Sequence, residues 1–376
     1  MKATISKESI TKALSLVGGI VEKKQTLPIL SNILIEFKGS SFRLVATDLE
    51  SELTIIGKTD NCETEGVTTA SAKKLNDLCR LIPDGSNIEL TLSGDKLNIS
   101  TKNGKYSLAT LPSNEFPIFE TGDAVNTIII KNQDLKDLIT STAFAMGNQD
   151  WRHYLNGLFL KLEEGVLTAV ATDAHRLALN CVQVNSEVNF SGIIPRKSVN
   201  EINRFIGENE GDLNLSINDA SLTVTSDNLT FKSKLIDGAF PDYNQVIPTG
   251  DSSLLDVNVN YFANSLSRVS ILSNDKNKGV KIHLVENNMT VRSNNADNEL
   301  AEETVVSKYS GDEIEIAFNV NYIQEILNNQ ANETCNVLFF GSDKSCLILP
   351  PGNEFPKYVV MPLFCRFDKK YKIICL

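Results

Sequence analysis

The chain has 376 residues, of which 41% are hydrophobic and 22% charged, enough apolar material for two or three globular domains. It contains no run of 18 apolar residues and no continuous apolar stretch at the N-terminus, so we expect neither a membrane span nor a secretory signal and predict a cytoplasmic location. A net charge of −11 argues against a uniformly basic surface but permits one basic face on an acidic protein.

Helices and strands are predicted in the same order three times along the chain. Apolar residues at helical spacing predict helices at 6–17, 71–82, 132–146, 195–206, 260–272 and 319–327, with Pro195 in the first turn of the fourth. Strands are predicted at 33–37, 88–92, 158–162, 213–217 and 280–284. Many strands and few helices predict an α+β fold of antiparallel sheets packed under helices.

A period near 124 residues relates the three parts. On the second predicted helix of each part, Leu75, Val199 and Ile323 are spaced by 124 residues, and so are Leu78, Ile202 and Ile326. Turn-rich breaks near residues 122 and 250 place the predicted domains at 1–122, 126–249 and 252–363. Units of this length are similar domains rather than solenoid repeats.

Two short motifs follow the same period. Ala46-Thr-Asp48 recurs as Ala171-Thr-Asp173 and, more weakly, as Asn295-Ala-Asp297. The segment 112–117 recurs nearly intact at 351–356. Because an aspartate that recurs three times suits a turn better than a catalytic centre, we interpret Asp48, Asp173 and Asp297 as caps of tight turns after strands.

The sequence carries little sign of catalysis. It has three histidines and lacks nucleophile-elbow, zinc-protease and phosphate-loop motifs, so neither an enzyme nor a cofactor is expected. A structural role, a binding role and catalysis together with Asp173 all stay open for His175. Seven cysteines without a CxxC pair favour reduced, mostly buried thiols over disulfides or a zinc site; they are Cys62, Cys79, Cys181, Cys335, Cys346, Cys365 and Cys375.

Cationic residues recur at matched places on the predicted helices. Lys73 and Lys74 lie near the start of the second predicted helix of the first part, and Arg196 and Lys197 lie near the start of that helix in the second part. They are either ordinary solvated helix residues or a basic face for phosphate contacts, which carry no sequence information.

Eight segments together resemble the bacterial DNA polymerase III beta subunit, the sliding clamp family, over residues 1–363; they are 26–30, 46–50, 154–157, 171–178, 194–197, 233–238, 240–243 and 358–362. The resemblance implies a head-to-tail homodimer that forms a six-domain ring, with helices lining the hole and sheets outside. It implies a non-enzymatic processivity factor that slides on duplex DNA without sequence specificity. A closed ring needs only a weakly basic hole, which fits the acidic composition.

The resemblance also implies three sets of site residues. The DNA contacts would be Lys24, Lys73, Gln149, Arg152, His153, Tyr154, Arg196 and Lys197, with Lys24 replacing a common arginine and His153 a tyrosine. A partner-peptide pocket would comprise Leu155, Thr172, His175, Arg176, Leu177, Pro241, Val246, Val359, Val360, Met361 and Pro362. The dimer interface would comprise Lys74, Lys105, Tyr106, Leu108, Ile271, Leu272, Glu299, Glu302 and Glu303.

Within the implied pocket, the apolar slot is expected from Leu155, Leu177, Val246, Val360 and Met361, and the polar edge from His175 and Arg176. Gln245 stands where an arginine is common, so one charged contact is expected to be missing. The implied partners dock short peptides with a Gln followed by Leu or Phe; they include the polymerase III alpha subunit, the clamp loader, other polymerases, and mismatch-repair or ligase factors. Loading onto closed DNA would need an ATP-driven loader, because the chain has no nucleotide motif.

One segment departs from the family, which usually ends near residue 363. The tail 364–376 could be a disordered basic extension, could fold over the pocket and compete with partners, or could reflect an altered reading frame. Two rival functions also remain: a three-domain peptide-binding scaffold that does not bind DNA, and an enzyme that uses Asp173 and His175 on a phosphate or ester.

Overall fold

The computed structural model describes residues 1–21, 27–119, 126–206, 211–274 and 278–363, and two short strands beyond. The same element order occurs three times: a strand, a helix, three strands, a further strand, a second helix and three final strands. The first and third repeats add one short strand before the second helix. This order confirms the predicted α+β triplication.

The bounds of the elements follow the period. Repeat one contains α1 (Lys7–Val17), α2 (Ala72–Leu81), β1 (Lys2–Ser6), β2 (Asn32–Lys38), β3 (Ser41–Thr47), β4 (Ser51–Lys58), β5 (Asn61–Thr64), β6 (Gly66–Ser71), β7 (Asn87–Ser93), β8 (Lys96–Ser100) and β9 (Lys105–Leu111). Repeat two contains α3 (Asn132–Thr142), α4 (Arg196–Ile206), β10 (Asn126–Lys131), β11 (Gly157–Glu163), β12 (Val166–Thr172), β13 (Arg176–Gln183), β14 (Phe190–Pro195), β15 (Asp212–Ile217), β16 (Ser221–Ser226) and β17 (Leu229–Lys234). Repeat three contains α5 (Val259–Val269), α6 (Val320–Asn328), β18 (Ser253–Asn258), β19 (Gly279–Val285), β20 (Asn288–Asn294), β21 (Leu300–Val305), β22 (Ser307–Ser310), β23 (Ile314–Asn319), β24 (Thr334–Phe339), β25 (Cys346–Leu349) and β26 (Lys357–Val360).

The chain packs as two compact units. The first comprises residues 1–135 and 184–235. Its strands pair in the order β10-β15-β16-β17-β4-β3-β2-β6-β9-β8-β7-β1-β5. Repeats one and two are joined inside this unit by the antiparallel pair β4–β17, in which Leu53 lies opposite Phe231. We call this pair the first seam.

The second unit comprises residues 136–183 and 236–376. Strands β11-β12-β13-β26-β25-β24-β18-β22 are successive neighbours in one sheet, and β21-β20-β19-β23 form another. Repeats two and three are joined here by the antiparallel pair β13–β26, in which Ala178 lies opposite Tyr358. We call this pair the second seam.

The helices begin where polar residues can cap them. The side chains of Ser6, Ser71, Asn258 and Asn319 each accept a backbone N–H of the first turn, which satisfies donors that a helix leaves unpaired. Pro195 is the last residue of β14 instead of lying in the first turn of α4. The predicted helices 132–146 and 260–272 each end as 3₁₀ turns, Ala143–Ala145 and Ser270–Leu272. No described helix is both long and apolar enough to cross a membrane.

Two of the three predicted aspartate caps are confirmed. Oδ1 of Asp48 accepts the backbone N–H of Glu50 and Ser51, and Oδ1 of Asp173 accepts those of His175 and Arg176. The residues after them, Leu49 and Ala174, adopt positive φ of 74° and 72°.

In repeat three, the prediction that Asp297 caps the turn is wrong. Asn295 directly follows β20, as Asp48 follows β3, and its Oδ1 accepts the backbone N–H of Asp297 and Glu299. The turn is longer there, so the sequence motif and the structural position are out of register.

The likeness between segments 112–117 and 351–356 does not reflect equivalent positions. The first segment follows β9, the last strand of repeat one, whereas the second precedes β26, the last strand of repeat three. Equivalent residues are found at matched places in the last strand of each repeat. In repeat one, Tyr106 lies opposite Ile99 of the preceding strand. In the same way, Phe231 lies opposite Val224 in repeat two, and Tyr358 lies opposite Ile348 in repeat three.

Beyond residue 364, the segments Cys365–Asp368 and Lys372–Cys375 pair as an antiparallel hairpin. No sequence pattern predicted this strand pair. Residues 364, 369–371 and 376 of the tail lie outside the described residues.

The cysteines of the described core are free thiols. Cys79, Cys335 and Cys346 are buried, and burial raises the pKa of each thiol to about 12. Since thiol reagents attack the thiolate, we expect these three cysteines to resist Ellman's reagent at pH 8 until the protein is unfolded. Mass mapping of the modified thiols checks this, and rapid labelling of Cys346 in the native protein would contradict the assigned core.

Candidate peptide-binding site

One face of the second-seam sheet carries a row of residues across four strands. Thr172 lies opposite Leu177, Leu177 opposite Val359, and Val359 opposite Leu347. Leu177, Val359 and Leu347 are buried in one cluster with Val170 and Leu179 of the same face. This cluster forms an apolar floor.

Strand alternation corrects one predicted lining residue. Val360 lies opposite Arg176, on the other face of the sheet from Leu177, because successive residues of a strand point to opposite faces. Val359, not Val360, therefore belongs to the floor beside Leu177.

Exposed side chains lie next to this floor. The N–H of Met361 donates to the carbonyl of His175 at 2.9 Å, which extends the β13–β26 ladder by one residue. Pro241, Val246, His175 and Met361 are exposed, whereas Leu155 is buried and Thr172 and Pro362 are half-buried. A buried apolar floor with an exposed rim suits an extended peptide that inserts apolar side chains.

The segment after Phe240 packs against the same cluster. The ring of Phe240 stacks on Phe159, with centroids 4.7 Å apart and planes 4° from parallel. Asp242 then accepts the N–H of Asn244 at 3.1 Å and the side-chain amide of Gln245 at 3.1 Å. The Gln245 bond is the main cause that holds the pKa of Asp242 below its usual value. Gln245 thus stabilises the turn that presents Val246.

Arg176 lies inside the unit rather than along the exposed rim. Only 8% of the residue is exposed, and its guanidinium donates to Asp173 at 3.1 Å, to Glu325 at 2.6 Å and to the Phe144 carbonyl at 2.9 Å. It also lies over the Tyr322 ring, 4.8 Å from its centroid, and the His175 ring is stacked on Tyr322. We interpret Arg176 as a brace that positions His175, not as the predicted polar edge.

Phe144, Tyr322 and Glu325 were missed by sequence reasoning. The repeat period offered a signal, since Tyr322 occupies the helix position of Lys74, a residue already predicted to lie at an interface.

At the first seam, charged residues occupy the places that apolar residues occupy in the floor of the second seam. At the first seam, Glu52 is equivalent to Leu177, and Lys232 is equivalent to Val359. Glu52 and Lys232 lie opposite each other and form an ion pair at 3.6 Å. The positions of His175 and Met361 are held by Glu50 and Lys234, an ion pair at 3.1 Å. The backbone hydrogen bond from the N–H of Met361 to the carbonyl of His175 also has an equivalent here, from the N–H of Lys234 to the carbonyl of Glu50. The same backbone thus carries charged side chains at the first seam, where Glu52 is buried, and apolar ones at the second.

The residues of the first unit that are predicted to contact DNA differ from one another in exposure and in their partners. Lys73 is exposed on α2, and Arg196 is the half-buried first residue of α4. The ammonium of Lys197 pairs with the Asp48 carboxylate, whose side chain is only 4% exposed, and donates to the Ile20 carbonyl at 3.4 Å. Lys197 of repeat two therefore binds the turn that precedes β4 in repeat one, and its DNA contact stays a prediction. Lys24 lies outside the described residues.

The predicted DNA contacts of the second unit share one loop. Gln149 adopts a positive φ of 57°, and Arg152, His153 and Tyr154 follow within the next few residues. Arg152 donates to both carboxylate oxygens of Asp150, at 3.0 and 2.8 Å. These hydrogen bonds are the largest cause that lowers the pKa of Asp150 to about 2.

The predicted interface residues lie on exposed surfaces of their own units. Lys74, Lys105, Tyr106 and Ile271 are exposed, and Leu108 and Leu272 are half-buried. The acidic residues already have partners within the chain: Glu302 pairs with Arg292 at 2.6 Å, Glu303 with Arg268 at 2.7 Å, and Glu299 accepts from Asn295. A contact with a second chain would have to share these carboxylates.

A chain of three repeats joined by strand pairs defines the three-domain clamp fold, and comparison with known proteins gives the family. The N-terminal, central and C-terminal domains of the DNA polymerase III beta subunit match residues 1–120, 129–242 and 244–364. The chain belongs to the DNA polymerase III beta subunit family.

Curated and solved relatives agree. The beta sliding clamp of Pseudomonas aeruginosa is 37% identical over 365 residues, 96% of this chain and 100% of the relative, and that of Escherichia coli K12 is 34% identical over 364 residues. A crystal structure of the Pseudomonas aeruginosa sliding clamp bound to griselimycin has a TM-score of 0.95 at 36% identity, covering 97% of this chain and 99% of that chain. A Caulobacter crescentus clamp structure has a TM-score of 0.91 at 33% identity, covering 97% and 100%. The family match ends at residue 364, so residues 365–376 of the tail lie beyond it.

Proposed function

We propose that the protein is the non-catalytic processivity factor of a replicative DNA polymerase, acting in the cytoplasm as a head-to-tail dimeric ring around duplex DNA. Polymerases, the clamp loader and repair factors would dock short peptides on the floor at the second seam. The relatives' names favour this function over a scaffold that does not bind DNA. The observation that carries the ring is that two seams repeat one strand pairing, while among the described residues β21 ends its sheet and the N-terminal half of β9 is paired on one side only.

The two strands that would form a third seam can be identified from the repeats. The first and second seams pair the third strand after the first helix of one repeat with the last strand of the next, as β4–β17 and β13–β26. The corresponding strands left over are β21 and β9. β21 ends its sheet, and the N-terminal half of β9 has β8 as its partner. Head-to-tail pairing of β21 with β9 of a second copy would therefore close a symmetric ring.

The register of this third seam can be worked out from the other two. Leu53 faces Phe231 at the first seam, and Ala178 faces Tyr358 at the second. The equivalent residues are Ala301 and Tyr106, so Leu300 would face Ser107 and Glu302 would face Lys105.

Burial supports the same assignment. Phe231 and Tyr358 are fully buried in their seams, whereas Tyr106 is 43% exposed. Tyr358 packs on Phe144 with centroids 5.8 Å apart, and the position of Phe144 is held in repeat three by Ile271, which is 77% exposed. Ile271 of one copy would thus pack on Tyr106 of the other, beside a groove of about 220 Å³ lined by Leu78, Leu81, Ile82 and Tyr106.

Charge at the proposed seam is complementary. Glu299 occupies the position of Arg176, and Lys74 that of Tyr322, the residue that Arg176 contacts. Lys74 would therefore face Glu299, as Lys105 would face Glu302. Such pairs set register more than affinity.

We expect Lys105→Glu to weaken the dimer by about 10- to 100-fold, because Lys105 is exposed and a like-charge pair there costs about 1 kcal/mol at each of the two seams of the ring. Sedimentation velocity over a range of concentrations measures the dissociation constant. The double variant Lys105→Glu with Glu302→Lys restores opposite charges and should recover most of the affinity. Equal dimer stability in all three proteins would contradict the proposed register.

The ring itself is tested by negative-stain electron microscopy of the purified protein without DNA. We expect closed particles with a central hole and six lobes. Isolated three-lobed crescents at concentrations well above those in the cell, or compact particles without a hole, would overturn the proposal.

A further inference from the structure

We propose that the linker between repeats one and two is a strap that clasps the first seam. Its residue Phe119 is bound by Glu52 and Lys232, which are equivalent to the floor residues of the second seam, where partner peptides are proposed to dock. Each chain would therefore fill one seam with its own backbone and leave the other open to partners. The comparison of the two seams rests on the proposed function, whereas the strap itself is tested without a partner. We call residues 112–119 the strap.

The two linkers of the chain begin in the same way. Phe116 and Phe240, each followed by proline, are 124 residues apart. Phe116 packs against Leu34 and Val45 on β2 and β3, and Phe240 stacks on Phe159 of β11, the strand equivalent to β2. Both linkers are therefore anchored to the sheet by an aromatic side chain before they reach the next seam.

The two linkers differ in length. Fourteen residues separate the end of β9 at Leu111 from the start of β10 at Asn126, whereas eighteen separate Lys234 from Ser253 in the second linker. The longer linker forms the 3₁₀ turn Tyr243–Val246 after its phenylalanine. The shorter linker has less chain for such a turn, and it reaches both strands of the first seam three residues after Phe116.

Both strands of the first seam bind the backbone of Phe119. Its N–H donates to the Glu52 carboxylate of β4 at 3.1 Å, and its carbonyl accepts from the Lys232 ammonium of β17 at 3.5 Å. Because Glu52 and Lys232 also pair with each other at 3.6 Å, the strap and the two strands are linked in one network. Backbone hydrogen bonds also give affinity to extended peptides that proteins bind.

The burial of the strap agrees with a bound segment. Phe119 is only 7% exposed, whereas the preceding Ile118 is 81% exposed. Glu52 is 6% exposed, and a buried carboxylate is costly unless hydrogen bonds and an opposite charge compensate for lost water. The Phe119 N–H and Lys232 supply that compensation, so the ion pair and the strap stabilise each other.

Residue type distinguishes the two seams. Leu177 and Val359, which are equivalent to Glu52 and Lys232, have apolar side chains that cannot form hydrogen bonds with a linker backbone. The charged pair therefore binds the chain's own linker at the first seam, and the apolar pair suits apolar side chains of a partner at the second.

Limited proteolysis with chymotrypsin tests whether the strap is bound. Chymotrypsin cleaves after phenylalanine unless proline follows, so Phe119 is a cleavage site and Phe116, which precedes Pro117, is not. Glu52→Ala with Lys232→Ala keeps Phe119 but removes both side chains that bind its backbone. We expect this variant to be cut after Phe119 about 10-fold faster or more than the unaltered full-length protein, because cleavage follows the population of the open strap.

The matched control is Arg43→Ala with Glu36→Ala, which removes an ion pair elsewhere in the same sheet and should be cut as slowly as the unaltered protein. Equal cleavage after Phe119 in the unaltered protein and in the Glu52 and Lys232 variant would overturn the inference.

Hydrogen exchange followed by mass spectrometry tests whether the strap holds the seam. In Phe119→Ala, we expect the amides of β17 to exchange about 10- to 100-fold faster, because a buried side chain is lost over the β4–β17 pair. Ile118→Ala removes an exposed neighbour and should leave this exchange unchanged, and exchange in β13 and β26 should stay the same in both variants. Unchanged exchange of β17 in Phe119→Ala would also overturn the inference. Failure of the proposed function is seen separately, as loss of peptide binding or of retention on circular DNA in the unaltered protein.

Discussion

Replacing Leu177 and Met361 together with alanine is expected to weaken binding of a Gln-Leu-Phe partner peptide by about 30-fold or more, because each removes an apolar contact of about 1–2 kcal/mol at the floor or rim. Leu177 is buried on the floor and Met361 is exposed beside it. Fluorescence anisotropy of a labelled peptide measures the affinity.

The repeats supply a matched control for this experiment. Glu52→Ala with Lys232→Ala alters the equivalent floor positions of the first seam, where an ion pair replaces the apolar pair. We expect this control to leave peptide affinity unchanged. Both variants should remain dimeric by sedimentation, because neither touches β9 or β21. Unchanged peptide affinity in the Leu177 and Met361 variant would remove the site from the second seam.

Arg176→Met is expected to lower the free energy of unfolding by about 3 kcal/mol, since breaking a buried ion pair leaves its partners unsatisfied. The substitution deprives Asp173 and the Phe144 carbonyl of their donor and leaves Tyr322 without the guanidinium it faces. Because His175 stacks on Tyr322, peptide affinity should fall as well. Urea denaturation measures the stability.

Two further variants separate the buried network from charge alone. Arg176→Lys keeps the charge but cannot reach three partners, so it should rescue little. Arg43→Met removes a solvent-exposed pair with Glu36 at 2.7 Å and should cost below about 1 kcal/mol. Equal losses in Arg43→Met and Arg176→Met would show that Arg176 is not the brace proposed here.

The repeated fold was largely predictable from the sequence because apolar residues recur at the same spacing in all three repeats. Leu75, Val199 and Ile323 keep one spacing since each lies on the buried side of an equivalent helix. Short motifs were less reliable. The turn of repeat three is longer, which moved the cap from the predicted Asp297 to Asn295, and segments 112–117 and 351–356 resemble each other without being equivalent.

The candidate site was harder to predict because its geometry depends on the pairing of distant strands. Only the register of β13 with β26 shows that Val359, and not Val360, shares a face with Leu177. The roles of Arg176 and Lys197 depend on Glu325 and Asp48, each 149 residues away in the sequence.

The measurement that tests the ring most directly is retention on circular DNA. Leu300→Cys with Ser107→Cys places two thiols opposite each other at the proposed third seam, where antiparallel neighbours lie within disulfide range. Dissociated protomers are mixed with a closed plasmid, allowed to reassociate and oxidised, and gel filtration in high salt separates plasmid from free protein. We predict that the cross-linked protein stays with the circular plasmid at high salt and is released when one restriction cut linearises it. Release from the intact circle, or equal retention after the cut, would contradict topological encirclement.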